Sequence, residues 1–583
     1  MMKLSKYLPF LNWFPMSSAT LRSDMVAGIT VALVLIPQSM AYAQLAGLPA
    51  YYGLYISFLP VMIAALFGSS KQLATGPVAV VSLLTASAII PLVGDPGKMS
   101  HEEIVTLYAP MAILLTLLVG SFQLMLGLMR LGVIVNFLSH PVIVGFTNAA
   151  ALIIGLSQFN KIFGVSMSRS ESFVQDIWGV VMRIPDLHLP TFIFGVSAIV
   201  TLWALKKYLP KVPGVLVVVV VSTTISWLIG YAEMKTGAVI GKIPEGLPSL
   251  AMPSFNLDAM SSLLGSAVVI SLVGFMEAIS IAKAMAAKTK DRLDPNQELI
   301  GQGIGNIVGS FSQAYPASGS FSRSAVNLGA GAKTGMSSVF TGLVVLITLL
   351  FLTPLLYHLP NAVLAAIIIM AVVGLINFHS VRHAWQACRH DGIASVVTFV
   401  ATLGFAPHLD SGIMVGAGLA IGFYLYRTMK PRVAQLGRFS DGTLRDIKVY
   451  PKLPTSPYII ALRFDGSLYF ANTAYFEDTI LEMVALKPSA THLLVVGDAI
   501  NDLDASGEEV IHHVVKRLRQ GGVTVVFSGL KRQVLQVMRN TSLYQLIGEE
   551  NIFATEDQAI AAIHERLGDD SKDDLFCLIP HRA

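Results

Sequence analysis

The chain has 583 residues, of which 54% are hydrophobic and only 13% charged. Soluble globular proteins carry about 25% charged residues, so this deficit, with a mean hydropathy of +0.65, makes lipid the main solvent. The net charge of +4 is small and is not the signature of a nucleic-acid-binding protein, which needs a concentrated basic patch. Cys388 and Cys577, far apart, form neither a disulfide framework nor a metal-ligand spacing.

Residues 1–25 read as a cytosolic lead-in. Pro9 and Pro15 interrupt them, Lys3, Lys6 and Arg22 charge them, and a long apolar segment follows with no signal-peptide cleavage pattern. Residues 26–428 hold about fourteen apolar segments, since a spanning helix needs about 20 such residues. Their centres lie near 35, 59, 85, 117, 146, 198, 220, 272, 304, 326, 346, 369, 398 and 419. Those near 85, 304 and 326 are short and rich in Gly, Ser or Pro, hence the least helix-like. With the N-terminus in the cytosol, inside loops (Lys71, Lys206, Lys211, Arg292, Lys333 among them) outnumber outside loops (Lys98, Lys161, Arg169, Lys235 among them) in Lys and Arg by about two to one. An even span count returns the chain to the cytosol at Arg427, Lys430 and Arg432.

Paired interruptions in two halves mark a transporter's binding site. Ala74-Thr75-Gly76-Pro77 opens the third segment, and Ala317-Ser318-Gly319-Ser320 opens the tenth. They lie seven segments apart, so the two halves have opposite topology. A half-helix starting in mid-membrane leaves backbone N–H groups and the positive end of its dipole facing a cavity. Two such ends attract an anion.

Ionisable residues within spans are functional candidates because burying them costs at least about 2.5–3.5 kcal/mol. Arg323, in Ser320-Phe321-Ser322-Arg323-Ser324, supplies a planar fork of donors suited to an oxyanion, with hydroxyls from Ser320, Ser322 and Ser324. Glu277, deep in the eighth segment, is expected to carry a proton, or to pair with Arg323 when the site is empty. In the first segment Gln38 follows Pro37, and Tyr42 lies one turn further along the same helix face; helix–helix hydrogen bonding is the alternative role for that pair. Gly301-Gln302-Gly303-Ile304-Gly305 lacks the G-x-G-x-x-G spacing of a dinucleotide site and is expected to allow close helix packing. No G-x-x-x-x-G-K-[ST] is present. The His379, His383 and His390 group reads as a solvated loop.

Residues 37–55 (Pro37-Gln38-Ser39-Met40-Ala41-Tyr42-Ala43 through Gly47-Leu48-Pro49-Ala50-Tyr51-Tyr52-Gly53-Leu54-Tyr55) resemble the signature of the sulfate permease (SulP) family. So do Thr75-Gly76-Pro77-Val78-Ala79, Asn296-Gln297-Glu298-Leu299 and Ser320-Phe321-Ser322-Arg323-Ser324, in family order. The resemblance implies a helical membrane protein in a seven-plus-seven inverted repeat, with core and gate subdomains and a homodimer. It implies a small anion held by Gln38, Tyr42, Pro77, Val78, Ala79, Ser320, Phe321, Ser322 and Arg323, and ion coupling at Glu277. Sodium-coupled bicarbonate carriers of the family resemble this chain less. They tend to lack the tenth-helix arginine and place an Asp with a nearby hydroxyl in the eighth helix, where this chain has Glu277 with Ile281. That favours proton coupling or anion exchange, with no cofactor and no metal.

Residues 457–567 alternate strand and helix patterns: strands at 458–464, 492–496 and 523–527, helices at 471–486 and 505–520. Residues 429–456 are the expected linker and 568–583 a tail. The order resembles an α/β STAS domain. Asp504-Ala505-Ser506-Gly507 falls at the loop that carries the phosphorylated serine of anti-sigma-factor antagonists, with Ala505 at that serine's position. A regulatory or assembly role with a cytosolic protein partner is expected. The whole reads as a secondary transporter of oxyanions, sulfate foremost, in the plasma membrane. An anion-sensing receptor, an anion channel, and a bicarbonate or dicarboxylate carrier are the alternatives.

Overall fold

The computed structural model describes residues 8–132, 139–167, 173–209, 212–234, 237–244, 246–406 and 408–578. Residues 1–7 of the lead-in, 579–583 of the tail, and the counted charges Arg169, Lys211 and Lys235 lie outside the described residues. The chain divides into two compact units, Met1–Ala420 and Ile421–Ala583.

The first unit is helical. In chain order its apolar helices are α1 (Ser18–Leu45), α2 (Tyr52–Ile56 continued by Leu59–Phe67), α3 (Ala79–Val93), α4 (His101–Leu128, including a π turn), α5 (His140–Ser157), α6 (Leu189–Tyr208) and α7 (Gly214–Leu228). The second series is α8 (Leu257–Thr289), α9 (Pro295–Phe311), α10 (Phe321–Gly329), α11 (Met336–Ile347), α12 (Asn361–Val373), α13 (Arg389–Gly404) and α14 (Leu409–Met429). Each expected centre falls inside one of these helices. Among the described residues, eight helices are long and apolar enough to cross a bilayer. α1 begins earlier than the expected start at residue 26, because the Ser17 side chain accepts the Thr20 N–H at 3.1 Å and caps the helix there.

The helices form two bundles. α9 packs on α4 and α2, α8 on α4 and α3, and α1 on α11, α10 and α3. In the second bundle α13 packs on α5, and α12 on α5 and α6. The bundles meet where α1 touches α12 and α7, and where α3 touches α5. Outward faces of α6, α7 and α14 leave large apolar side chains such as Val200, Trp227 and Met414 exposed, as lipid-facing helices do.

Glycine spacing explains the closest packing. A Cβ on Gly303 would stand 2.6 Å from the Leu124 nitrogen of α4, and one on Gly301 2.5 Å from the Gly68 nitrogen. The Gly301–Gly305 run is therefore a packing seam between α2, α9 and α4, and α9 is an unbroken helix despite its weak sequence signal.

The second unit is an α/β domain. Its mixed six-stranded sheet contains β3 (Val433–Arg438), β4 (Leu444–Asp446), β5 (Ile459–Phe464), β6 (His492–Val496), β7 (Thr524–Ser528) and β8 (Ile552–Phe553), in the order β4-β3-β5-β6-β7-β8. β1 (Ala74–Gly76) and β2 (Ser318–Ser320) belong to the membrane unit and are described below. β5 through β8 run parallel, and β3 is antiparallel to both β4 and β5. Helices α15 (Thr473–Ala485) and α16 (Ala505–Gln520) match the expected spans. One apolar layer, including Leu462, Phe464, Phe476, Val495, Ile511 and Val514, buries one sheet face; a second, including Ile459, Leu494, Val526 and Ile560, buries the other. Residues 429–456, expected as a linker, instead add β3 and β4 to the sheet. Their period-2 pattern is short and bracketed by Pro431 and Pro454, which hides it from sequence reading. Asp504 caps α16, its Oδ1 accepting the Gly507 N–H at 2.8 Å and its Oδ2 the Phe470 N–H at 2.9 Å.

His492 in β6 is 8% exposed, with Nδ1 3.0 Å from the Thr491 hydroxyl. Burial, aided by the nearby Arg566 charge, lowers its pKa from 6.5. The unfolded chain therefore binds this proton more readily, and stability falls as pH drops through the unfolded value of about 6.5. Thermal unfolding of the domain in the full chain is expected to occur at lower temperature at pH 5.5 than at 7.5, and His492→Gln is expected to reduce that difference. An unchanged pH dependence in the variant would refute it.

Candidate functional site

Two three-residue strands lie at the centre of the first bundle. β1 (Ala74–Gly76) pairs antiparallel with β2 (Ser318–Ser320), with Ala74 opposite Ser320 and Gly76 opposite Ser318. Each strand runs directly into a helix: β1 through Pro77 and Val78 into α3, and β2 into α10. Antiparallel pairing makes the two helices depart in opposite senses, so their N-terminal ends meet at the middle of the bundle. This is the pairing of interruptions expected from residues 74–79 and 317–323.

Neither helix start is capped by a side chain. The N-cap residues Val78 and Ser320 are both extended, and neither side chain accepts a hydrogen bond from its helix. The first-turn N–H groups of Ala79 and of Phe321 and Ser322 thus remain available at two positive dipole ends.

The strands fit because of their small residues. Gly76 has φ +146, and a Cβ there would approach Arg323 Nη2 to 3.3 Å. A Cβ on Gly319 would come within 2.9 Å of Ala278 Cα on α8. The Ser318 hydroxyl donates to the Gly274 carbonyl of α8 at 2.6 Å, fastening β2 to the helix that carries Glu277.

Arg323 is 1% exposed. Its Nη2 donates to the Pro77 carbonyl at 2.8 Å, while Nε and Nη1 have no partner. Buried polar groups are almost always hydrogen-bonded, so two unpartnered guanidinium nitrogens at this depth mark a place for an acceptor. The expected ion pair with Glu277 is not formed; Arg323 is anchored to the α3 start instead.

α1 closes the third side, packing on both α3 and α10. Gln38 is 6% exposed and its Oε1 has no partner, and Tyr42 is buried one turn on. Tyr42 lies within electrostatic reach of both Arg323 and Glu277. Pro37 removes one N–H from the helix ladder beside them. Glu277 is half-buried, with no hydrogen-bond or ion-pair partner among the described residues.

Ser324 also has a structural role: its Oγ accepts the Ala74 N–H at 2.9 Å, tying α10 to β1, while its own O–H remains able to donate. The Phe321 ring at the α10 start is 58% exposed, in contrast to the buried Arg323 two residues on. Ser320 and Ser322 hydroxyls lie 3.4 Å apart at that start.

The sequence reading missed the supports of the two strands. Glu298, Gln302 and Asn306 stand on one face of α9. Glu298 Oε2 accepts the N–H groups of Ser69 and Ser70, each at 2.9 Å, just before β1. Gln302 Nε2 donates to Thr75 Oγ1 at 2.8 Å. Asn306 accepts the Ala317 N–H at 2.8 Å and donates to the Ala317 carbonyl at 3.2 Å, clamping the entry to β2. Their four-residue spacing in an otherwise small-residue helix was the available signal.

The fold and site define a multi-pass helical membrane transporter with an appended α/β domain. Residues 21–398 match the model of the Sulfate permease family, and residues 450–559 match the STAS domain. The chain is 37% identical over 557 residues to "Sulfate transporter 4.1, chloroplastic" of Arabidopsis thaliana, covering 92% of this chain and 79% of that protein. It is 33% identical over 565 residues to "High affinity sulfate transporter 1" of Stylosanthes hamata, covering 93% and 83%. Among solved structures it superposes on SLC26A9 with a TM-score of 0.89 at 24% identity, covering 99% of this chain and 95% of that one. The transmembrane domain of the cyanobacterium bicarbonate transporter BicA superposes with a TM-score of 0.58 at 23% identity, covering 70% and 99%. The chain belongs to the sulfate permease family and carries a C-terminal STAS domain; it is a transporter rather than an enzyme.

Proposed function

We propose that the chain carries small oxyanions, sulfate foremost, across the plasma membrane by alternating access, as a proton symporter or an anion exchanger. The observation that carries this reading is the buried Arg323 guanidinium, with two unpartnered nitrogens, set between two uncapped helix starts. The anion is held by the N–H groups at Ala79, Phe321 and Ser322, by Ser320 and Ser322 hydroxyls, by the Gln38 amide after rotation, and by the Tyr42 hydroxyl. Pro77 and Val78 shape the α3 start. The transport activity belongs to residues 26–428, and the STAS domain regulates or assembles the carrier, with both termini in the cytosol and a homodimer as the working unit. Relatives named as sulfate transporters along more than nine-tenths of this chain support sulfate over bicarbonate.

The test is uptake of labelled sulfate into proteoliposomes, competed by chloride, bicarbonate and dicarboxylates, with and without a pH gradient. Saturable uptake displaced by oxyanions is the expected result; uptake that does not saturate would identify a channel. No flux alongside anion-dependent signalling would identify a receptor.

Glu277 is the proposed proton carrier. It stands on the helix that fastens β2, so a change of its charge acts at the occupied site. Glu277→Gln, which fixes a neutral side chain, is expected to remove stimulation by a pH gradient while sulfate–sulfate exchange continues. Undiminished stimulation in the variant would rule out this role.

A further inference from the structure

A second polar cluster lies on α1 beyond the site, at the membrane face opposite the amino terminus. Gln44 is in the last turn of α1, six residues past Gln38, or about 9 Å along the axis. Its Nε2 donates to Asn361 Oδ1 at 2.8 Å, and its Oε1 accepts from Lys161 Nζ at 3.0 Å. Asn361 is the first residue of α12, and Lys161 lies on the short helix Phe159–Phe163 that follows α5. α1 belongs to the bundle that holds the anion site, whereas α5 and α12 belong to the other. One amide thus bridges the two bundles twice. The second bundle holds Asn361 firmly, its own N–H donating to the Ala238 carbonyl at 2.9 Å.

The bridge borders a cavity of about 1040 Å³ between the bundles, lined by Leu83, Ser157 and Leu409 together with Gln44, Lys161 and Asn361. Gln38, Tyr42, residues 77–79 and residues 320–323 do not line this cavity. It therefore stops short of the anion site.

We propose that Lys161, Gln44 and Asn361 form a latch that holds the far side of the anion site closed, and that both hydrogen bonds break when the site opens to that face. The physical reason is rigidity. Gln38, Tyr42 and Gln44 share one helix, so moving the site relative to the second bundle draws Gln44 away from Asn361, which that bundle holds, and from Lys161 on the neighbouring helix. Hydrogen bonds of 2.8 and 3.0 Å do not survive such a displacement. The latch rests on the transport reading above, because only a site that changes sides needs one.

Accessibility from the far side tests it without relying on flux. In a chain carrying Cys388→Ser and Cys577→Ser, Val78→Cys reports the site and Leu83→Cys reports the cavity. Both are labelled on intact cells with a membrane-impermeant methanethiosulfonate. Gln44→Ala removes both bonds and is expected to speed labelling at Val78→Cys at least about tenfold, the factor equivalent to the charge-assisted Lys161 bond alone, and to leave Leu83→Cys unchanged. Asn361→Ala should act in the same direction. Gln44→Glu keeps the helix and places a carboxylate against Lys161, with the Asn361 amide turned to donate, so it should slow labelling at Val78→Cys. Opposite signs for Gln44→Ala and Gln44→Glu separate a latch from general loosening. Equal rates in all variants, or acceleration by both Gln44 substitutions, would overturn the proposal. Absence of labelled-sulfate uptake by the unsubstituted chain, with the labelling response intact, would instead remove the transport reading.

Discussion

Arg323→Ala is expected to cut saturable sulfate uptake by roughly 100-fold or more, the equivalent of losing two charge-assisted hydrogen bonds of about 1.5–3 kcal/mol each. The guanidinium is 1% exposed, and just one of its nitrogens is spent on the protein, at the Pro77 carbonyl. A buried cation without a carboxylate is costly to the folded chain, and an incoming oxyanion offsets that cost. Removing the side chain removes the attraction along with the cost, so the variant should fold while failing to bind. Arg323→Lys retains a positive charge but has a single nitrogen to divide between Pro77 and the anion. Its KM is expected to rise with less effect on the maximal rate. Uptake kinetics in proteoliposomes, with thermal unfolding as the control for folding, decide the matter. Uptake by Arg323→Ala at the unsubstituted rate would remove Arg323 from the site.

Gly53→Ala should impair both stability and transport through a different route. A methyl group on Gly53 would stand 2.1 Å from the Ser39 carbonyl oxygen and 2.6 Å from the Met40 nitrogen. Those are backbone atoms of α1, so no side-chain rotation relieves the clash, and α2 must move away from α1. Overpacking of a buried contact typically costs about 1–3 kcal/mol. Ser39 and Met40 lie between Gln38 and Tyr42, so the displacement moves both site residues against Arg323. A lower unfolding temperature together with a raised KM is expected. Gly265→Ala serves as the control, since a Cβ there meets nothing within 4 Å. If Gly53→Ala unfolds and transports like that control, the tight α1–α2 contact has no bearing on the site.

Much of the site was legible because membrane burial makes polar residues conspicuous. Gln38, Glu277 and Arg323 stand out within apolar runs, and the small-residue interruptions at 74–77 and 317–320 stand out against long helices. The first two strands of the second unit were less visible. Strands β3 and β4 were hidden in a proline-bracketed segment: the edge strand β4 has only three residues, and β3, paired on both sides, is buried at four of its six positions, so neither alternates cleanly. Ser324 looked equivalent to Ser320 and Ser322. Its use as an acceptor for Ala74 depends on a partner 250 residues away, which no local pattern encodes. The polar face of α9 was legible in its spacing, but a glycine-rich run with Gln and Asn reads equally well as packing seam and as clamp.

Composition and hydropathy by themselves determined a lipid-solvated helical chain, the positions of its segments and the strand–helix order of the STAS domain, because burial in hydrocarbon and the two backbone periods are written residue by residue. Only the tertiary structure decided that β1 and β2 pair, that Arg323 leans on Pro77 rather than on Glu277, and that Gln44 joins two bundles. Each of those rests on groups distant in the chain meeting within 3 Å or so, and such meetings are set by the packing of whole helices.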